Sequence, residues 1–221
     1  MRALAPLALS VALSVLTASP LLAQDNDNDT LAAATAMPAG TYAVDPAHTL
    51  VNFTIGHLGI SPFTGQFGNP AGTLTIDPAD PSAASVDIVF PIADVSTTSA
   101  RLDEHLQAEE FFDAANHPEG RFASTAITVD GDRATITGDL TLRGVTKPVV
   151  LQATLYGAAE NPLNQRKSLG FSATTEVMRS DFGINAYLPA LADRVELNIE
   201  AAFEAVDGEV PADDGTETAG N

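Results

Sequence analysis

Arg194-Val195-Glu196-Leu197-Asn198-Ile199-Glu200-Ala201-Ala202-Phe203-Glu204 is the stretch whose reading decides the fold. Val195, Leu197, Ile199, Ala201 and Phe203 recur at every second position, and Glu196, Asn198, Glu200 and Glu204 fall on the alternate ones. Successive side chains of a strand point to opposite faces. The segment therefore requires a sheet with one dry and one wet face, the pattern of antiparallel sheets rather than of parallel ones buried on both sides.

The same period recurs upstream in residues 42–57, 73–76, 85–90, 121–129, 133–142, 148–156 and 168–177. Turn signals separate several of these runs: Asp77-Pro78-Ala79-Asp80-Pro81, Asp130-Gly131-Asp132 and Arg143-Gly144. Asp45-Pro46 marks a turn or bend within the first run, and Gly56, Gly59, Gly65 and Gly68 among Phe63 and Phe67 indicate a bent or bulged segment that keeps aromatic side chains close to the backbone. Eight or so short antiparallel strands imply an all-β domain, either a sandwich or a closed barrel, and periodicity does not choose between them. A barrel of that size fills with side chains or leaves room for one small ligand.

One segment breaks the pattern. Residues 101–112, RLDEHLQAEEFF, favour a helix, with N-cap candidates at Ser96, Thr97, Thr98 and Ser99 and a stop at His117-Pro118. Leu102, Leu106, Phe111 and Phe112 fall near one helical face, which predicts a short insertion that covers or plugs part of the sheet while its acids face water. Arg101 is expected to pair with Asp103 or Glu104, and Arg179 with Asp181.

The ends bear on location. Residues 1–23 begin with Arg2, continue as an apolar run and finish with Leu21-Leu22-Ala23, the layout of a signal peptide cleaved after Ala23. The run is too short and too interrupted to prefer spanning a bilayer, so stable membrane insertion is not expected. Residues 24–40 read as a disordered linker, 41–206 as one domain and 207–221 as an acidic disordered tail. The absence of cysteine removes lipid-attachment, disulfide and thiolate chemistry. Export without cysteine suits a bacterial periplasm. With 29 acidic and 10 basic residues the formal charge is −19, which disfavours nucleic acid and anionic head groups as partners.

Chemical motifs are sparse. His48, His57, His105 and His117 show no metal-ligand spacing, and no G-x-S-x-G or phosphate loop occurs. His48 and His57, at the start and end of one long strand, are candidates for polar groups at a cavity mouth. Ten Phe spread over nearly every element either pack a core or line an apolar pocket. An enzyme using His48, His57 or His105 as acid or base is the alternative to a binding protein.

The series Asp45-Pro46-Ala47-His48-Thr49-Leu50-Val51-Asn52-Phe53, then His57, Gly65-Gln66-Phe67, Arg101-Leu102-Asp103-Glu104-His105-Leu106, Phe111-Phe112-Asp113, Pro118 and Phe122-Ala123-Ser124-Thr125 resembles the YceI-like family of lipocalin-like proteins. Gly138-Asp139-Leu140-Thr141-Leu142-Arg143-Gly144-Val145-Thr146-Lys147-Pro148-Val149 and Arg179-Ser180-Asp181-Phe182-Gly183 extend the match to residues 41–205. Asp103-Glu104 departs from the Arg-Asp pair expected there. The resemblance implies an extended eight-stranded antiparallel lipocalin-like β-barrel with one short helical insertion. It also implies secretion to the periplasm, a long isoprenoid or similar amphiphilic lipid inside, often a homodimer, and no catalytic residue. No metal and no cofactor beyond a bound isoprenoid or quinone-like lipid is expected. Taken with the aromatic inventory, it places ligand contacts at His48, Phe53, His57, Phe63, Phe67, Phe111, Phe112, Phe122, Phe171, Arg179 and Phe182.

Overall fold

The alternating segment forms the last strand of a computed structural model that describes residues 38–206. The expected signal peptide, nearly all of the linker and the acidic tail lie outside the described residues. In chain order the strands are β1 (Gly40–Val44), β2 (Leu50–His57), β3 (Ser61–Phe67), β4 (Ala71–Ile76), β5 (Ser85–Pro91), β6 (Val95–Ser96), β7 (Glu119–Asp130), β8 (Arg133–Leu142), β9 (Val145–Glu160), β10 (Lys167–Met178) and β11 (Leu191–Ala205), with α1 (Ala100–Gln107) between β6 and β7. Pairing is antiparallel throughout, and β1-β4-β5-β7-β8-β9-β10-β11 closes into a ring of eight because β11 also pairs with β1. This closure decides for the barrel against the sandwich.

The eleven segments follow from three breaks in the first strands. At Asp45-Pro46 the first run bends, so that β1 pairs with Phe203–Ala205 and β2 with the preceding part of β11. The bend is stitched down: Asp45 N–H donates to Ala202 O at 2.8 Å, Thr49 Oγ1 donates to the same carbonyl, and Ala202 N–H donates back to Thr49 Oγ1 at 3.0 Å. Thr49 is thereby buried with its polar atoms satisfied. β3 and β4 break likewise, as do β5 and β6. β6 pairs only with β3, so beyond Pro91↔Glu119 the ring opens, and residues 97–118 fill the opening.

That insertion matches expectation on its buried face and differs at its start. α1 ends at Gln107, with hydrogen-bonded turns continuing to His117. Ser99 is the N-cap residue, yet its side chain makes no cap bond. Asp103 is spent instead on Thr97, accepting from its N–H at 2.7 Å and its hydroxyl at 2.6 Å. It is therefore not the partner of Arg101, and Glu104 forms no ion pair with Arg101 either. Arg143, at φ 50° in the β8–β9 turn, pins the far end by donating to Glu109 O at 2.7 Å and Gly183 O at 2.6 Å.

Inside the barrel three phenylalanines lie flat across glycines. A Cβ at Gly65 would stand 2.3 Å from the Phe53 ring, one at Gly120 2.3 Å from Phe90, and one at Gly138 2.4 Å from Phe122. Phe53↔Gly65 and Phe90↔Gly120 are direct register partners. The glycine leaves a trough that the ring covers, and the ring shields the exposed backbone. Gly65 is thus a ring seat, the close approach of aromatic ring to backbone read from the sequence, in a strand whose register with β2 runs without the expected bulge. Phe67 joins these rings, with centroids 5.7 Å from Phe53, 5.3 Å from Phe90 and 5.3 Å from Phe112. Gly65→Ala should force the Phe53 ring off its seat and destabilise the fold by about 1–3 kcal/mol, read by urea denaturation. An unchanged midpoint would contradict the seat.

Candidate ligand-binding cavity

Val195, Leu197, Ile199 and Ala201 of β11 are only half-buried although they face the barrel axis, because the walls do not meet there. The space between them is a cavity of about 510 Å³, within the few hundred to a thousand Å³ usual for small-molecule sites. Val51 and Ile55 of β2, Ile88 of β5, Leu151 of β9 and Val195, Leu197 and Ile199 of β11 form aliphatic walls, and the phenylalanines line the rest. Tyr42, Val44, Leu74, Leu169 and Phe203 pack one end shut.

Ten of the eleven expected contact residues line this space: Phe53, His57, Phe63, Phe67, Phe111, Phe112, Phe122, Phe171, Arg179 and Phe182. His48 does not. Its ring is 75% exposed in the bend and its Nδ1 lies 2.6 Å from Asp45, so it serves the turn and not the cavity. β2 begins only at Leu50, so His48 never reaches the strand that carries His57. The residues missed include the aliphatic walls, Phe90 and Phe203, and Leu58, Thr175 and Tyr187. The walls were legible as a dry face. That a dry face borders a cavity rather than a packed centre has no local signature.

Polar groups concentrate at the other end, where His57, His105, Arg179 and Tyr187 meet the cavity. The His105 and Tyr187 rings are 6.3 Å apart, Phe111 stacks on Tyr187 at 6.0 Å, and His105 Nε2 lies 3.3 Å from Glu110. His57 contacts Phe63 through its ring, and that ring makes no hydrogen bond among the described residues. No three His, Cys, Asp or Glu side chains converge as a metal site among the described residues.

Arg179 differs from expectation in its partners. It is 5% exposed, and its guanidinium donates to Ala192 O at 2.8 Å, Ile184 O at 2.9 Å, Ala186 O at 2.9 Å and Leu191 O at 3.1 Å. Asp181 takes no part. Burial draws its pKa down, with the charge of Asp193 opposing. Two carbonyls of the β10–β11 connection and two of the first residues of β11 are thus gathered on one planar fork, which a flexible ammonium could not reproduce. Asp193 completes the clamp by accepting from Ser180 Oγ at 2.7 Å and Ser180 N–H at 2.9 Å, bonds that hold its carboxyl below the usual range.

An antiparallel barrel with one end packed, a plugged seam, an apolar interior and a polar mouth defines a lipocalin-like ligand-binding barrel. A family model described as the YceI-like domain matches residues 42–203, and the chain belongs to that family. Protein YceI of Escherichia coli O157:H7 is 39% identical over 163 residues, covering 73% of this chain and 85% of that protein. The crystal structure of the Campylobacter jejuni YCEI protein, 32% identical, superposes with a TM-score of 0.60 over 68% of this chain and 90% of the other. A polyisoprenoid binding domain from Saccharophagus degradans shares the fold at 15% identity, with a TM-score of 0.59 over 75% of this chain and 98% of that domain.

Arg179→Met should leave four carbonyls without their donor and lower stability by about 3 kcal/mol or more in urea melts, with Arg179→Lys recovering only part. Asp193 has a folded pKa below its unfolded value, so its contribution is present above about pH 4 and is lost as pH falls through the folded value. Asp193→Asn should therefore be less stable than wild type at pH 7, and the gap should close on acidification. A gap independent of pH would refute this role.

Proposed function

We propose that this protein is a periplasmic binding or carrier protein that holds one long amphiphilic lipid, isoprenoid in type, with its tail along the barrel axis and its head at the mouth. The observation that carries this reading is the segregation of the cavity: aliphatic and aromatic walls along its length, His57, His105 and Tyr187 at one end. The polyisoprenoid binding of the Saccharophagus degradans domain, which has the same fold, supports the ligand class. Location rests on the reading of residues 1–23 as a cleaved signal.

The energetics suit such a ligand. Each methylene moved from water to the apolar wall gains roughly 0.8 kcal/mol, so about ten units supply on the order of 8 kcal/mol, enough to offset much of the loss of free motion on association. Few polar contacts are then needed. The head group that fits is uncharged, because Arg179, the one lysine or arginine lining the cavity among the described residues, has four of its five donors engaged by carbonyls. A hydroxyl, quinone or amide would find His57 and the Tyr187 hydroxyl at hydrogen-bonding positions.

Binding is favoured over catalysis by how the histidines are held. A general base needs a partner that orients it. His57 has none among the described residues, and His105 meets the solvent-facing Glu110. Protein recovered from its host without detergent should release a long-chain neutral lipid on organic extraction, identified by mass spectrometry. Phe171→Asp, which puts a charge in the apolar wall, should lose that lipid. Ala201→Phe, which adds a ring opposite Phe171 in the β10–β11 register, should remain folded and hold a shorter lipid or none. Unaltered lipid in both variants would contradict the cavity assignment.

A further inference from the structure

The cavity mouth has an apolar rim that the interior does not require. Leu58 is 51% exposed, Ile60 82% and Tyr187 56%. Leu58 and Ile60 form the β2–β3 tip and Tyr187 lies in the β10–β11 connection, and the two tips are tied by Leu58 N–H donating to Ala190 O at 2.9 Å. Leu58 and Tyr187 both line the cavity, so the exposed apolar surface is continuous with the interior.

The charge pattern sets this rim apart. In a chain of formal charge −19, residues 46–76 and 182–192 contain no Asp, Glu, Lys or Arg. Both tips belong to those stretches, so the rim can leave water without desolvating a charge of its own. The backbone adds a separate indication. Leu58 and Tyr187 sit at φ 56° and 60°, a left-handed conformation that disfavours residues with a Cβ. Glycine would turn the chain there without strain, so the exposed side chains are held out despite the conformation.

We propose that this rim docks on the surface of an uncharged or zwitterionic bilayer, so that a lipid passes between membrane and cavity without crossing water. The proposal rests on the lipid-carrier reading. A bilayer fits this rim better than a second copy of the chain, because a copy seated on it would cap the mouth that Leu58 and Tyr187 line, whereas a bilayer meets the mouth with lipid. Glu104, Glu109 and Glu110 on the helical side of the mouth make anionic lipid the poorer surface. The two projecting tips are shaped to enter a head-group layer, with Tyr187 of the amphipathic type that settles there.

Flotation of the full mature chain with phosphatidylcholine vesicles tests this. Wild type should float, and less so when part of the phosphatidylcholine is replaced by phosphatidylglycerol at low salt. Ile60→Asp should lower the partition coefficient about tenfold. Leu163→Asp changes a residue 93% exposed on the β9–β10 connection, away from the mouth, and should float as wild type does. Absence of wild-type flotation, or equal loss in both variants, overturns the proposal. So does a wild-type dimer in sedimentation that Ile60→Asp dissociates, since the rim is then a contact between copies. Ile60 does not line the cavity, so Ile60→Asp should keep its extractable lipid. If no lipid is extracted from either protein while wild type still floats, the carrier reading fails and the docking surface stands.

Discussion

The pairing of β1 with β11 is the constraint on which the rest depends. Only three register pairs form it, Tyr42↔Ala205, Ala43↔Glu204 and Val44↔Phe203. They join the first and last of the described strands, and without them the sheet would present two unpaired edges and enclose nothing. The same residues supply the packed end of the cavity. Tyr42 is 1% exposed with its hydroxyl donating to Pro38 O at 2.9 Å, and it packs with Val44, Leu74, Leu169 and Phe203. Closure and floor are thus one structure, and the stitched bend at Asp45 to Thr49 lets β11 serve both β1 and β2.

A barrel whose walls do not meet forgoes the contacts that a filled centre would give. Stability has to come from elsewhere in the molecule. Three ring-on-glycine seats make the wall locally dense, and Phe67 ties them to Phe112 of the plugging segment. At the mouth the connection between β10 and β11 buries Phe182 and Ile184 in the core, and the Arg179 fork organises its backbone through carbonyls. Arg143 does the same for the end of the helical insertion. Two buried or half-buried arginines thus shape the mouth in a chain otherwise dominated by acids. Arg179 gives four of its five donors to carbonyls, so among the described residues no lysine or arginine offers its charge freely to the cavity.

Much of the site was legible because inward-facing residues of strands repeat at period two whether they pack a core or border a space. Phe53, Phe122 and Phe171 could be assigned to the interior on that ground. His48 and His57 could not be separated, since both flank one apolar run. The Asp45-Pro46 bend removes His48 from the strand and leaves it on Asp45, while His57 reaches the mouth beside Leu191. Arg179 was similarly ambiguous: Asp181 is near in sequence, but the carbonyls of residues 184–192 are brought to the guanidinium only by the path of the connection. Gly65, set among Phe63 and Phe67, pointed to aromatic rings held close to the backbone, but which ring covers it, and that Gly120 and Gly138 are seats as well, was not legible because the partner of each lies on a neighbouring strand.

By itself, then, the sequence determined an antiparallel all-β domain with one wet face, one dry face and a single helical insertion. These follow from side-chain alternation and local propensity, which are properties of neighbouring residues. Tertiary structure alone decided that the sheet closes, that its dry face borders a cavity of about 510 Å³ and that the polar groups gather at one end. Closure depends on register between residues some 160 positions apart. A cavity depends on the distance between opposite walls, set by strand number and stagger rather than by any segment's own pattern.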